Sequence, residues 1–400
     1  MFTVTADALL PTTVTGSWPR PAWYRGNMKG RRFSHCMLDR EYREQFTDAI
    51  SVVVSDQELA GLDIVSNGDY HLDTELAGQS WLRYPLERTA GLSEDEFPAA
   101  SKLLRDYPPG TLLHEILARG WMWPRVVGPL EPRIPFEFAR LWELAQARTE
   151  RPVKFGTISA QTLIDMIEVD RDAYPSKRKA LWDMATVINR ELRALADAGC
   201  QVIQLEEPAI HAVAAADPDD PELEFLIEAF NHEVEGLDDV EVWVHTCWGN
   251  PNMQKVYTES SYAPSVEIFM ERLNVDVWTI ESKDNGGEAL PHLAKYRDSS
   301  RVKIALGAVS HRTLEADTPA DVAAEIRAAM EYVRPEMLIV SSDCGFGRDG
   351  CNRAIALYKA AAIALGADIV RQELGAEPRR IGIAEERLEL LRPPSDTTVA

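Results

Sequence analysis

The chain is short of positive charge. Its 400 residues carry 42 Lys and Arg against 64 Asp and Glu, a formal net charge of -22. That excludes the usual footprint of a nucleic-acid binder or of a protein held on an anionic membrane, since both need basic patches to displace counterions. Cysteine is sparse as well. Cys36, Cys200, Cys247, Cys344 and Cys351 are an odd, scattered set that makes no disulfide framework, so the cytoplasm is the natural compartment. No apolar run approaches the ~18 residues of a membrane span. Met1 to Leu10 has neither the basic start nor the long apolar core of a signal peptide. Internal repeats and low-complexity blocks are also missing. What is present, 45% hydrophobic and 26% charged residues, is ordinary for a soluble globular enzyme with a sizeable core.

Strand and helix patterns alternate from end to end, which predicts parallel βα units. Candidate strands fall at Thr12 to Gly16, Ile64 to Gly68, Val153 to Ser159, Val202 to Glu206, Glu241 to Cys247, Val275 to Glu281, Lys303 to Ala308 and Met337 to Ser342. Helical spacing of apolar residues marks Arg43 to Ala60, Arg178 to Ala198, Pro221 to Glu235, Pro319 to Val333 and Asn352 to Leu365. Eight such strands predict an α/β TIM (β/α)8 barrel, whose active site lies at the C-terminal strand ends. An open doubly wound sheet would want a Gly-rich phosphate turn after its first strand, and Gly16-Ser17-Trp18-Pro19 is not one.

One connection, residues 70–152 between the second and third strands, is far too long for a simple loop. With Trp81, Trp121, Trp123, Trp142 and several prolines, it reads as an insertion. Small helices and a hairpin around Pro124 to Pro135 are expected there, folded over the barrel mouth or used to build a homo-oligomer. The tryptophans read as packing residues. Ala384 to Leu391 has the pattern of a short amphipathic helix, and Arg392 to Ala400 reads as a disordered tail.

The apolar run Val242-Trp243-Val244-His245-Thr246-Cys247 puts an imidazole and a thiol on one face, because residues i and i+2 of a strand point the same way. Alone, an HxC triplet is weak evidence of a metal. Two later runs end in a carboxylate, Glu281, and in a thiol, Cys344. His245, Cys247, Glu281 and Cys344 make a set suited to zinc, which accepts nitrogen, thiolate and carboxylate. Two thiolates, a carboxylate and a neutral imidazole leave such a centre electron-rich. It suits a bound substrate thiolate better than a water nucleophile. The alternative is a closed zinc site that only ties strands together.

Four motifs carry a family resemblance: Thr13-Val14-Thr15-Gly16-Ser17-Trp18-Pro19, Gln204-Leu205-Glu206-Glu207-Pro208-Ala209, the His245/Cys247 pair, and Ser342-Asp343-Cys344-Gly345. In order and spacing over residues 11–368, the chain resembles the catalytic C-terminal half of cobalamin-independent methionine synthase, and more closely the short single-barrel members of that family. The resemblance implies that His245, Cys247, Glu281 and Cys344 are zinc ligands and that Ser17, Asp69 and Glu206 line the pocket of the thiol substrate. Asp69 and Glu206 would pair with an ammonium group, and Ser17 with its backbone N–H would hold a carboxylate. Asp69 also reads as a helix N-cap. The family's usual residues are Asp where Glu206 stands and Glu where Asp69 stands, so charge is kept while pocket length changes.

Protonation of a leaving group calls for an acid, and His311, after the seventh strand, is the candidate; His211 is a second, and a loop histidine without a role is the plain alternative. Arg20, Arg25, Lys29, Arg31 and Arg32 form a basic cluster after the first strand. A solvated loop is its default reading, and capture of an anionic tail, carboxylate or sulfonate is the functional one. Cys351 reads as a packed residue of the last helix.

The resemblance thins in two places. There is no additional N-terminal barrel of the kind that holds a folate polyglutamate tail in the long family members, and the family's Gly-Pro step after the third strand is replaced by Ile158-Ser159-Ala160-Gln161-Thr162. The expectation is therefore one zinc-bearing barrel over residues 1–371, with 70–152 inserted, and an extension and tail over 372–400. Its partners would be a small-molecule thiol and an alkyl donor. Methyl transfer to homocysteine from methyltetrahydrofolate or another donor leads. Thiolate attack of coenzyme M on an epoxide is the alternative, and a non-enzymatic zinc-stabilised binding protein is the distant third.

Overall fold

A computed structural model describes residues 2–70, 79–98, 107, 110–115, 122–257, 261–347 and 351–384. Its centre is a curled, parallel sheet of seven strands in the order β1-β4-β5-β6-β7-β8-β9. These are β1 (Val65–Ser66), β4 (Val153–Ile158), β5 (Val202–Glu206), β6 (Glu241–Thr246), β7 (Val277–Ile280), β8 (Lys303–Val309) and β9 (Leu338–Ser342). Every residue of these strands is buried. Both faces of the sheet are therefore covered, as parallel sheets require. Helices Arg40–Ala60, Lys177–Asp197, Leu223–Glu233, Pro319–Met330 and Arg353–Glu373 alternate with the strands.

The first expected strand, Thr12 to Gly16, appears instead as a single parallel bridge between Thr12 and Val340. Side chains divert its ladder donors: the Thr12 N–H bonds Asp63 Oδ2 at 2.9 Å and the Thr15 N–H bonds Ser342 Oγ at 3.0 Å. The segment still touches both ends of the sheet. The Thr13 N–H donates to Val340 O, and the Ile64 N–H, on the approach to β1, donates to Thr12 O, each at 3.0 Å.

Between β1 and β4 the chain forms an antiparallel pair, β2 (Leu92–Pro98) with β3 (Met122–Val126). The expected hairpin around Pro124 to Pro135 thus supplies one strand, and its partner comes from upstream. Prolines at 124, 129, 132 and 135 remove the backbone donors that a hairpin folded within that segment would need. Trp123 and Trp142 are buried, and the Trp142 indole donates to Val153 O at 3.0 Å, so both pack the core. Trp121, the Trp81 side chain, and everything beyond residue 384 lie outside the described residues.

Alternation along the strands builds the interior in layers. Val202, Trp243, Val277, Ala305 and Ile339 form a separate apolar cluster with Ile64 at the strands' N-terminal ends. Residues two further on are Gln204, His245, Thr279, Gly307 and Ser341, so the interior turns polar toward the C-terminal ends. The N-terminal segment covers the apolar layer. Glu241 accepts the Thr3 and Thr5 N–H groups at 2.7 Å and the Trp243 indole N–H at 3.1 Å, and Lys303 Nζ bonds Thr5 O. Trp243→Ala would empty the largest side chain of this layer. Its expected cost is about 3–5 kcal/mol, read as a lowered denaturant midpoint with little change in slope.

Candidate metal centre and active site

The three motif residues His245, Cys247 and Cys344 meet although they lie about a hundred positions apart. His245 is near the end of β6, Cys247 just beyond it, and Cys344 two residues past β9. Their ligand atoms all lie within 4.8 Å of one another, and all three side chains are buried. His245 has zero exposure, and among the described residues neither ring nitrogen has a partner at hydrogen-bond distance, the ion-pair contact of Nε2 with Glu206 Oε2 being 3.6 Å. An orphaned buried imidazole facing two thiols is costly unless something takes its lone pair. The donor set fits a borderline-soft divalent ion such as zinc.

Charge and hydrogen bonding couple the three groups. Hydrogen bonding from Cys247, and then the charge of His245, pull the Cys344 thiol well below its usual range; hydrogen bonding to Cys344 and burial push Cys247 well above. Burial opposes charge on His245, but Glu206, Cys344 and Glu281 outweigh it and lift the imidazole to about 9. Asn250 adds a donor, its Nδ2 lying 3.4 Å from Cys344 Sγ and 3.1 Å from Gly345 O.

Glu281 is fully buried just past β7 but lies outside the 4.8 Å group. Its carboxylate accepts the Trp248 N–H at 2.8 Å. Arg312 donates to it from Nη2, at 2.8 and 2.9 Å, and from Nε, at 3.1 Å. Nη2 has two hydrogens and three acceptors within reach, so one of its hydrogens is shared. The same Arg312 Nη2 donates to Gly249 O at 2.8 Å, tying the loop after β6 to the carboxylate after β7.

The three expected substrate residues sit around this centre. Glu206 ends β5, with Oε2 3.6 Å from His245 Nε2 and Oε1 accepting the Gln204 amide at 2.7 Å. Burial pushes its carboxyl up to about 7 against the pull of His245. Asp69 is buried, at φ 54°, with its N–H on Asn67 Oδ1. Gly156 on β4 makes room for it, since a Cβ there would stand 3.1 Å from Asp69 Oδ1. The helix that Asp69 would cap lies outside the described residues. Ser17 packs against Gly345, where an added Cβ would come within 2.6 Å of the Ser17 nitrogen.

His311, two residues past β8, is buried with Nδ1 3.2 Å from Asp284 Oδ2, and its Nε2 has no partner among the described residues. Burial raises the Asp284 carboxyl, but hydrogen bonds from His311 and Ser310 hold it well below the usual range. Asp343 sets this arrangement: Oδ1 accepts the N–H groups of Ser282 and Lys283 at 2.7 and 2.9 Å, and Oδ2 that of Asp284 at 2.7 Å. Asp284, His311 and Asp343 also bring ligand atoms within 4.8 Å of one another. Asp343 is already committed to backbone donors, so the trio fits proton handling.

His211, the second acid candidate, lies between Trp248 and Tyr262, with ring centroids at 4.1 and 4.3 Å, and its Nδ1 is 2.7 Å from Ser265 Oγ. Burial drops it to about 3, so it is neutral near pH 7. Most of the basic cluster is spent locally. Arg20 donates to Tyr70 O and stacks over Tyr24 and Tyr70, and Arg25 and Arg31 bond carbonyls of their own loop. Cys351 precedes the last helix, which Asn352 caps, rather than lying on it. Sequence reasoning passed over Arg312, Asp284 and Asp343. Two of these were adjacent to quoted residues, His311 and Cys344, and that adjacency was the only signal.

Residues 124–364 match the family described as cobalamin-independent synthase, catalytic domain. The chain is 30% identical to the methionine synthase of Sulfurisphaera tokodaii over 92% of its own length and 94% of the relative's. It is 27% identical to that of Sulfolobus acidocaldarius over 92% and 94%. Among solved structures, a B12-independent methionine synthase from Shewanella sp. W3-18-1, in complex with selenomethionine, superposes with a TM-score of 0.73 at 25% identity. That match covers 92% of this chain and 99% of the other.

His211 predicts a pH effect on stability. Its folded pKa lies below the unfolded value of 6.5, so the unfolded chain binds the extra proton. The contribution is complete above about pH 6.5 and is lost as pH falls toward 3, with a slope near 1.4 kcal/mol per pH unit. His211→Gln should flatten the urea-unfolding free energy between pH 6.5 and 4 relative to the parent.

Proposed function

The chain belongs to the cobalamin-independent methionine synthase family, and from that premise we propose that it transfers a methyl group to the thiol of homocysteine with the help of a zinc ion. The observation that carries this reading is the convergence of His245, Cys247 and Cys344 at the strand ends beside Glu206. We take the curled sheet, with the Thr12 segment between its ends, as an eight-stranded barrel over residues 1–371, into which 70–152 is inserted, working in the cytoplasm.

His245, Cys247 and Cys344 would hold the zinc, with Glu281 as fourth ligand once Arg312 releases one of its oxygens. When bound, zinc supplies an electron-rich Lewis acid that keeps a substrate thiol deprotonated at neutral pH. Asp69 and Glu206 receive the substrate ammonium, and the Gly16-Ser17 turn its carboxylate. The thiolate sulfur then attacks the methyl carbon as the bond from carbon to the donor atom breaks. A folate amine leaves badly unless protonated, and His311, backed by Asp284, has an Nε2 with no partner among the described residues from which to give that proton.

Purified protein should carry near one zinc per chain, and Cys247→Ser or Cys344→Ser should lose it. Stoichiometric zinc in both variants would defeat the ligand assignment. The zinc-loaded protein should bind homocysteine and methylate it in a screen of methyl donors. Calorimetric binding of coenzyme M without binding of homocysteine would replace this reading with attack on an epoxide, because a sulfonate has nothing to offer Asp69 and Glu206.

His311→Ala should slow transfer from methyltetrahydrofolate by ~10²-fold or more, the usual scale of general acid catalysis. Transfer from a sulfonium donor, whose leaving group needs no proton, should hardly change. Equal losses with both donors would make His311 a residue that shapes the pocket.

A further inference from the structure

We propose that Lys154, buried on β4 beneath the mouth, is a positioning residue that acts through Gln204 to keep Glu206 an acceptor for the substrate's ammonium group. This rests on the reading of Glu206 as part of the thiol-substrate pocket. The lysine is 2% exposed and the one charged residue of β4, in Val-Lys-Phe-Gly-Thr-Ile. Its Nζ donates to Val14 O at 2.8 Å and to Gln204 Oε1 at 2.6 Å, and sits 4.9 Å from the Trp243 ring centroid. Gln204 Nε2 in turn donates to Glu206 Oε1 at 2.7 Å.

The direction of this chain is fixed by chemistry. An ammonium has three donors and no acceptor, so Gln204 must turn its oxygen toward Lys154 and its NH2 toward Glu206. Glu206 Oε1 then receives a hydrogen and is held as an acceptor. The charges agree with the geometry. Glu206 and Asp69 both act on Lys154, supporting its ammonium against a burial that lowers it to about 8.

Lys154 also braces the opposite wall. Its bond to Val14 O holds the strand-like segment three residues before Ser17, whose turn faces the substrate carboxylate in this reading. One ammonium thus ties the carboxylate-binding turn to the ammonium-binding side chain, both on the floor of the pocket. Without the ammonium, Gln204 would be free to turn its amide over, and Glu206 Oε1 would lose its fixed donor.

The test compares homocysteine with 4-sulfanylbutanoic acid, the same thiol acid without the amino group, on the zinc-loaded protein and on Lys154→Met, which keeps the length and removes the charge. Dissociation constants come from calorimetry, and zinc content and circular dichroism report the fold. The parent should prefer homocysteine. Lys154→Met should weaken homocysteine by about tenfold or more, the scale of one lost charge-assisted contact, and leave the des-amino acid within about twofold. In the transfer assay KM for homocysteine should rise while kcat holds. A folded variant that keeps the parent's preference overturns the role of Lys154. A parent with no preference overturns the pocket reading instead, and the proposal with it. Should Lys154→Met fail to fold, Gln204→Met, which keeps the ammonium and cuts the link, decides by the same comparison.

Discussion

Negative charge placed out of water is the constraint on which this site depends. Glu206, Glu281, Asp343 and Cys344 are each under 5% exposed at the C-terminal ends of the strands. An anion taken from water must be given donors or a proton, at a cost of several kcal/mol when neither is supplied. Each has its own provider. Gln204, oriented by Lys154, serves Glu206; Arg312 and the Trp248 N–H serve Glu281; three backbone N–H groups serve Asp343; Cys247 and Asn250 serve Cys344. The providers come from different strands and loops, so the mouth is built only when the sheet has curled.

Close approach is the second demand. Gly307 is one answer: a Cβ there would sit 2.1 Å from Asp343 Oδ1, so only a glycine lets the carboxylate lie across β8 and reach the turn after β7. Gly345 does the same for Ser17, bringing the first loop onto the last. Those two glycines and the Asp343 bonds explain why the Ser-Asp-Cys-Gly stretch is a unit. The aspartate positions the turn that carries Asp284, the cysteine faces the metal centre, and the glycine admits the first loop.

Much of this was legible because strand periodicity is a local rule. Period-two alternation put His245 with Cys247 on one face before any tertiary contact was known. That these residues stand at the C-terminal ends of parallel strands followed from the alternation of strand and helix patterns. The Thr12 segment was harder to read, because its backbone donors go to Asp63 and Ser342, which no window around residue 12 contains. Arg312 was passed over for a similar reason: its claim on Glu281 exists only once the loops after β7 and β8 meet. The hairpin was half right, since prolines mark where a strand cannot pair but do not name the partner. Lys154, a lone charge in an apolar strand, was not singled out, because its meaning needed the Gln204 contact.

An ion at the candidate centre would not disturb this balance. The neighbouring anions lift the His245 imidazole to about 9, while Cys247 is pushed well above its usual range and Cys344 well below it. A charged imidazole and a single thiolate would cancel. A divalent ion needs a neutral imidazole and two thiolates, so loading expels the His245 proton and the Cys247 proton, and the ion's two charges cancel the two thiolates. The three side chains together with the cations they hold, protons or a divalent ion, are neutral in sum before and after. Lys154, Arg312 and the backbone donors around them therefore see the same net charge from this group in both states. The one adjustment left is at Glu281, which holds the Trp248 N–H and the Arg312 guanidinium. Among the described residues Arg312 is the one side chain bonded to that carboxylate, so it is the group that must give way if Glu281 is to bind an ion. Because the same guanidinium holds Gly249 O, such a release would free the loop after β6 beside the pocket.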